Sequence, residues 1–278
     1  MKNFIMIGDG RIAQYHRKAI EHVGGKLAAV CDPAKYPGGM VLNDGTPTAI
    51  LTELPERANW IWRNGRGNPI YVVICSPSNF HREQLKFILN NLPSNTQIIC
   101  EKPAFLPWEP PIDSERLNIC LQLRYLPNLP EKADKIYVRF VRDELYFKSW
   151  KGDPKNTGGL FYSLFIHYID LAQRLGADFE GAVKPEGTQE RYIGLKWSWP
   201  EDVWGEYDRF VAEEDKIDIL NIDMQTLYNR MYEDILNGGG IKPRDLFYLD
   251  WILKRNSELF GYGKNGLNRT IKIGHELL

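Results

Sequence analysis

The sequence predicts a chain in two parts: an α/β part built on a doubly wound parallel sheet, then an α+β part with an open, largely antiparallel sheet. Three observations point there. The first third alternates short, continuously apolar runs with segments of helical periodicity, as parallel strands covered on both faces by crossover helices require. A proline-rich break at Pro107, Pro110 and Pro111 then interrupts the alternation. Beyond it, long strand-like runs follow one another without crossover helices. A length of 278 residues accommodates two domains, and the expected division is 1–119 and 120–278.

Residues 4–7 read as the first strand, and 11–22, with Ile12, Tyr15, Ala19 and Ile20 near helical spacing, as its helix. Further strands are expected at 27–31, 71–75 and 97–100, with a helix at 82–90 carrying Leu85, Ile88 and Leu89. Between 33 and 69 the chain holds Pro33, Pro37, Gly38, Gly39, Pro47 and Pro55, then Trp60 and Trp62. That stretch reads as an irregular crossover with a short strand and a helix. A second style begins near Ile119: strands at 135–150, 191–199 and 216–222, helices at 160–175 and 227–236.

Composition narrows the function classes. Lys plus Arg is 35 against 36 for Asp plus Glu, so no electrostatic footprint for nucleic acid or an anionic membrane is present. No apolar stretch nears the roughly 18 residues of a membrane helix. The apolar run at the N-terminus ends in Gly8, too short for the core of a secretory signal. Cys31, Cys75, Cys100 and Cys120 each sit in or at the end of an apolar run, without a CxxC pair. Buried reduced thiols and a cytoplasmic location are expected. His, Cys and Asp lack closed metal-ligand spacing, so no metal is expected.

Gly8-Asp9-Gly10-Arg11-Ile12-Ala13 has the form GxGxxA. It follows a strand and opens a helix, the context in which this pattern carries meaning. Gly8 permits a tight turn, Gly10 lets the backbone approach a pyrophosphate, and Ala13 is small enough for close helix–strand packing. The helix N-terminus offers N–H groups and a positive dipole end to phosphate. Asp32 ends the second strand, 22 residues after Gly10, where an acid takes the adenosine ribose hydroxyls. This is a Rossmann fingerprint, and the carboxylate favours NAD over NADP. Gly8, Gly10, Arg11, Ile12 and Asp32 are therefore the expected cofactor residues.

Further along stand Cys75-Ser76-Pro77-Ser78-Asn79-Phe80-His81, Glu101-Lys102-Pro103, and Gly158-Gly159-Leu160 with His167 and Asp170. Together, in this order, they resemble the Gfo/Idh/MocA oxidoreductases over nearly the whole chain. The resemblance implies that Ser76, Pro77, Asn79 and His81, in a loop after the fourth strand, lie along the cofactor with Glu101 and Lys102. It implies catalytic roles for Lys102 and His167, and substrate contacts for Ser163, His167 and Asp170. The chemistry fits: a lysine beyond a strand end could hydrogen-bond the reacting hydroxyl and stabilise negative charge on its oxygen as hydride leaves. Asp170, three residues after His167 on a helix, could hold the imidazole in one tautomer.

A narrower likeness links Leu121-Gln122-Leu123-Arg124-Tyr125, Ser149-Trp150-Lys151-Gly152-Asp153 and the late segment Tyr232-Glu233-Asp234-Ile235-Leu236-Asn237-Gly238 to dehydrogenases of UDP-linked N-acetylglucosaminuronic acid. Those enzymes oxidise the sugar C3 hydroxyl in surface-polysaccharide precursor pathways. Arg124 and Lys151, with Arg142 nearby in sequence, are then the basic residues expected to grip a uronate or diphosphate of a sugar nucleotide. Three positions depart from what many relatives carry: Ser163 for Asp or Asn, Phe165 for Gly, and Tyr228 for His. A homo-dimer or homo-tetramer is expected through a sheet face bearing Tyr137, Tyr146, Trp197 and Trp199. Two other functions fit the same build: an NAD-dependent glycosidase and a non-catalytic nucleotide-binding module.

Overall fold

The computed structural model describes residues 1–37, 45, 46, 48, 49, 51–65, 68–127, 129, 131–133, 135–142, 144–159, 161–185, 209–212, 216, 217, 223–247, 249, 253, 272 and 273. The chain forms two compact units. The first comprises Met1–Phe105, Glu109–Tyr125 and Met224–Asp245, the second Leu106–Trp108, Leu126–Asp223 and Leu246–Leu278. A single division after residue 119 was expected; instead the chain returns to the first unit late, for a reason that lies in its last long helix.

The first unit opens with strand β1 (Asn3–Ile7), helix α1 (Ala13–His22) and strand β2 (Lys26–Cys31). Ala13, His16, Ala19 and Ile20 make the buried stripe of α1, the helical spacing expected of a face laid on a sheet. The crossover that follows holds helix α2 (Leu54–Asn64), started by Pro55 in its first turn. Among the described residues of that stretch, the short strand expected there is represented by an isolated bridge between Val30 and Thr48. Strand β3 (Ile70–Ile74) is buried throughout, and helix α3 (His81–Asn91) leads to β4 (Gln97–Glu101). Among the described strands, the Ser76 loop follows the third. A fifth strand, β5 (Leu117–Cys120), pairs in parallel with β4, so the first sheet runs past the point where a second style was expected. The order is β2-β1-β3-β4-β5, all parallel.

The second unit begins with β6 (Lys135–Arg142). The strand expected to reach residue 150 stops at Arg142, and Glu144–Lys148 is a short helix, α4. Tyr146 thus leaves the sheet. Helix α5 (Pro154–Thr157) and a π-helical turn at Phe161–Phe165 precede helix α6 (Ile166–Leu175). Strands β7 (Asp178–Pro185), β8 (Arg209–Ala212) and β9 (Lys216–Ile217) follow. Helix α7 (Met224–Leu236) is next, and β10 (Lys272–Ile273) completes the second sheet in the order β10-β7-β6-β8-β9. Among the described strands of this sheet, β6 and β7 run parallel and the other pairs are antiparallel. The expected strand at 191–199, with Trp197 and Trp199, lies outside the described residues.

Helix α7 explains the late return. Its Tyr228, Met231, Tyr232 and Ile235 belong to one core cluster with Phe4, Met6, Val73 and Ile99 of the first sheet and Ala13, Ala19 and Ile20 of α1. Tyr232 stacks on Phe4, ring centroids 5.9 Å apart, and Tyr228 on Tyr15 at 5.3 Å. Each such side chain withdraws enough apolar area to favour the packed state by about 1.5–3 kcal/mol. Among the described residues, no helix is long and apolar enough to cross a membrane.

Candidate cofactor and active site

In the first sheet the strand order turns back on either side of the β1/β3 pair, and such a switch point opens a ligand crevice beyond the strand C-termini. Four of the expected cofactor residues of this unit follow the C-terminal ends of its strands. Gly8 follows β1, Asp32 follows β2, Ser76 lies just beyond β3, and Lys102 follows β4 directly. Gly8 has a φ of 94°, its N–H donates to the Cys31 carbonyl at 2.8 Å, and its own carbonyl receives the Cys75 thiol at 3.1 Å. A Cβ at Gly8 would stand 2.6 Å from the Ser76 nitrogen; only glycine allows the β1 and β3 loops to approach so closely. A Cβ at Gly10 would meet nothing within 4 Å. That open space, over the N-terminus of α1, fits a pyrophosphate. Arg11 is exposed and Ile12 half-buried beside it.

Asp32 is held by backbone donors: Asp9 N–H to Oδ2 at 2.9 Å and Lys35 N–H to Oδ1 at 3.1 Å. The fixed carboxylate suits the ribose diol it is expected to meet. Ser76, Pro77 and Asn79 are half-buried in the β3 loop, and the Ser76 hydroxyl donates to Gln84 of α3 at 2.6 Å.

His81 and Glu101 have partners inside the unit. His81 is buried, with Nδ1 2.8 Å from the Pro103 carbonyl and Nε2 2.8 Å from the Ser76 carbonyl. It bridges the loops after β3 and β4. Burial disfavours its charged form and lowers its pKa, while the two carbonyl acceptors and Glu101 pull the other way. Glu101 is also buried. Its Oε1 accepts from the Tyr228 hydroxyl at 2.6 Å and lies 3.2 Å from His16 Nε2. His16 Nδ1 is 2.8 Å from the Tyr232 hydroxyl, and Gln122 donates to the Tyr228 oxygen at 3.0 Å. Burial would raise the Glu101 pKa, but the hydrogen bonds from His16 and Tyr228 and the charge on Lys102 outweigh it and hold it at about 2.

Sequence reasoning missed this network. His16 did sit in the apolar stripe of α1, but Tyr228 lies 127 residues from Glu101, and nothing local pairs them. Tyr228 stands where relatives often carry His, and here it is a buried donor under the Lys102 loop. Cys120 brings its sulfur, with His16 and Glu101, into a group of donor atoms within 4.8 Å of one another. The imidazole nitrogens there already face protein partners, and burial pushes the Cys120 thiol well up, which keeps it protonated.

A pH experiment reads this network. A carboxyl held at about 2 in the fold and near 4.5 when unfolded stabilises the fold above pH 4.5 and ceases to as pH falls through 2. The loss should amount to about 3 kcal/mol. In urea unfolding between pH 2 and 6, Glu101→Gln should be less stable than wild type at pH 6, and the gap should close towards pH 2. A gap independent of pH would show that Glu101 is not ionised in the fold.

Lys102 is half-buried, and its peptide to Pro103 is cis. Arg124 also belongs to the first unit, on the turn Gln122–Tyr125. Lys151, Ser163, His167 and Asp170 belong to the second. There the Asp153 carboxylate caps α5, and Gly158 and Gly159 have φ of 76° and 85°; Leu160 lies outside the described residues. Ser163 lies in the π turn Phe161–Phe165, a geometry enriched at functional sites, and its N–H donates to the Gly159 carbonyl at 2.9 Å. Ser163 is half-buried, His167 and Asp170 are buried on α6, and Lys151 is exposed with Nζ 5.8 Å from the Trp150 ring centroid. Phe165, where relatives often have glycine, packs edge-on against Phe179 of β7 at 5.7 Å. It serves the core of its unit.

The family comparison agrees with this geometry. Residues 2–111 match the model of the oxidoreductase family with an NAD-binding Rossmann fold, and residues 133–188 match the C-terminal alpha/beta domain of the same family. The chain belongs to the Gfo/Idh/MocA oxidoreductases, and its cofactor is NAD. Among solved structures it is similar to the WlbA (WbpB) dehydrogenase from Thermus thermophilus in complex with NAD and alpha-ketoglutarate. The identity is 20%, the TM-score 0.68, and 97% of each chain is covered. The same dehydrogenase with NAD and UDP-GlcNAcA matches at 21% identity and a TM-score of 0.64, over 91% of this chain and 94% of the other.

Proposed function

We propose that this oxidoreductase oxidises a hydroxyl of a nucleotide-linked acidic sugar, the C3 hydroxyl of a UDP-linked N-acetylated uronic acid, during synthesis of surface-polysaccharide precursors. The observation that carries an oxidoreductase reading with Lys102 at its centre is the position of that lysine. It follows β4 at the sheet edge that also holds the glycine cradle and Asp32. NAD supplies the hydride acceptor. Lys102 Nζ hydrogen-bonds the reacting hydroxyl, favours loss of its proton, and stabilises the charge on oxygen as hydride departs. His167, with Asp170 setting its tautomer, takes the proton onward, and Ser163 contacts the sugar. Arg124 and Lys151 bind the uronate or the diphosphate.

The choice of sugar is supported by the likeness of 121–125 and 149–153 to enzymes of that specificity. The fold similarity to a Thermus dehydrogenase bound to NAD and UDP-GlcNAcA adds to it. Purified protein incubated with NAD and a panel of UDP-sugars tests the proposal. Reduced cofactor should accumulate with the UDP-linked N-acetylated uronate and far less with the free neutral sugar. Cleavage of a glycoside without accumulation of reduced cofactor would replace this reading by that of a glycosidase. Cofactor binding without turnover of any sugar would leave a nucleotide-binding module.

A further inference from the structure

The middle residue of the glycine cradle has a side chain with more partners than a turn requires. Asp9 Oδ1 accepts from Arg17 Nη2 at 3.0 Å and Nε at 3.3 Å. Its Oδ2 accepts from Lys35 Nζ at 2.9 Å and from the Tyr36 hydroxyl at 2.7 Å. Lys35 Nζ also donates to the Asp9 carbonyl at 3.2 Å. Meanwhile the Asp9 N–H donates to Asp32, so this cluster sits directly against the carboxylate that faces the adenosine ribose. The Asp9 side chain is only 10% exposed, whereas that of Lys35 is 53% exposed. Lys35 is thus an exposed cation beside Asp32, drawn down onto a largely buried anion.

We infer that Asp9 is a second determinant of NAD over NADP, acting by holding Lys35 in an ion pair that a ribose 2′-phosphate would otherwise take up. The inference rests on the NAD-binding reading of this cradle. Around Asp32 the charges of Asp9, Asp32, Arg17 and Lys35 cancel, so a 2′-phosphate gains no net attraction. It meets the Asp32 carboxylate, and the exposed Lys35 ammonium beside it is already engaged. Without the Asp9 charge, Lys35 can turn to the phosphate, and charge-assisted bonds of that kind are among the stronger ones proteins make. A purely structural role for Asp9 predicts something else: its loss would loosen the cradle and weaken both cofactors alike.

Fluorescence titration with NADH and NADPH distinguishes the two. Asp9→Asn should shift the ratio of the two dissociation constants about tenfold or more towards NADPH. Adding Lys35→Met to that variant should return the ratio to near the wild-type value. Lys35→Met alone, at an exposed position that folding tolerates, should leave the ratio within about threefold of wild type. The proposal is overturned if Asp9→Asn binds NADH with an unchanged ratio, or if its gain survives loss of Lys35. It is also overturned if Lys35→Met alone weakens NADPH binding, since the lysine would then already serve the phosphate. A wild-type protein binding NADPH as tightly as NADH would remove the preference itself, and the proposal with it.

Discussion

Gly10→Val is expected to fold as the wild type does and to lose its cofactor. A Cβ at this position would meet nothing within 4 Å, and Gly10 does not have a positive φ, so the fold itself makes no demand for glycine there. The demand comes from the ligand: the valine methyls would fill the space over the first turn of α1 that a pyrophosphate needs. Removing the equivalent of two charge-assisted hydrogen bonds weakens binding at least about 100-fold. The check is NADH titration beside thermal unfolding. An unfolding midpoint near that of wild type with binding lost is the expected pair. Retained binding would move the cofactor away from this turn. Gly8 offers the contrast: its positive φ and the 2.6 Å approach to Ser76 make glycine a structural necessity, so substitution there should damage both properties together.

Lys102→Met is expected to separate binding from chemistry in the opposite sense. Methionine keeps much of the apolar stem but removes the charge and the donors. If Lys102 acts on the reacting hydroxyl, NADH affinity should change little while turnover falls about 10²–10⁴-fold, equivalent to roughly 3–5 kcal/mol of barrier. Comparing the mutant's titration with its single-turnover rate on the identified sugar decides the matter. Wild-type turnover would refute the catalytic assignment, and loss of NADH affinity would make Lys102 a cofactor ligand.

What could be read in advance follows from how local each feature is. The cradle is a contiguous pattern between a strand and a helix, and the parallel strands are continuous apolar runs, so both announce themselves within a few residues. The strand expected to run on to 150 failed at Arg142 because Leu145, Tyr146 and Phe147 are apolar neighbours too few to reveal a period. The hydrogen bonds around Glu101 join residues 16, 101, 122, 228 and 232, and no spacing rule reaches that far. Tyr228 and Phe165 looked like departures that bear on activity. In the structure, one donates to a buried carboxylate and the other packs in a core.

The late return of the chain has a consequence for how the protein is born. As the polypeptide leaves the ribosome, all five strands of the first sheet emerge before the helix whose tyrosines close its core. Until residue 236 is out, Glu101 lacks its donor from residue 228, and the groove over Phe4 and α1 stands open to water. The nucleotide-binding half therefore finishes folding only after most of the other half has been made. A fragment ending after β5 is an incomplete body with an exposed apolar seam, prone to stick to its own kind. Contacts that span more than 200 residues, such as His16 with Tyr232, also make this closing step slow compared with the local winding of α1.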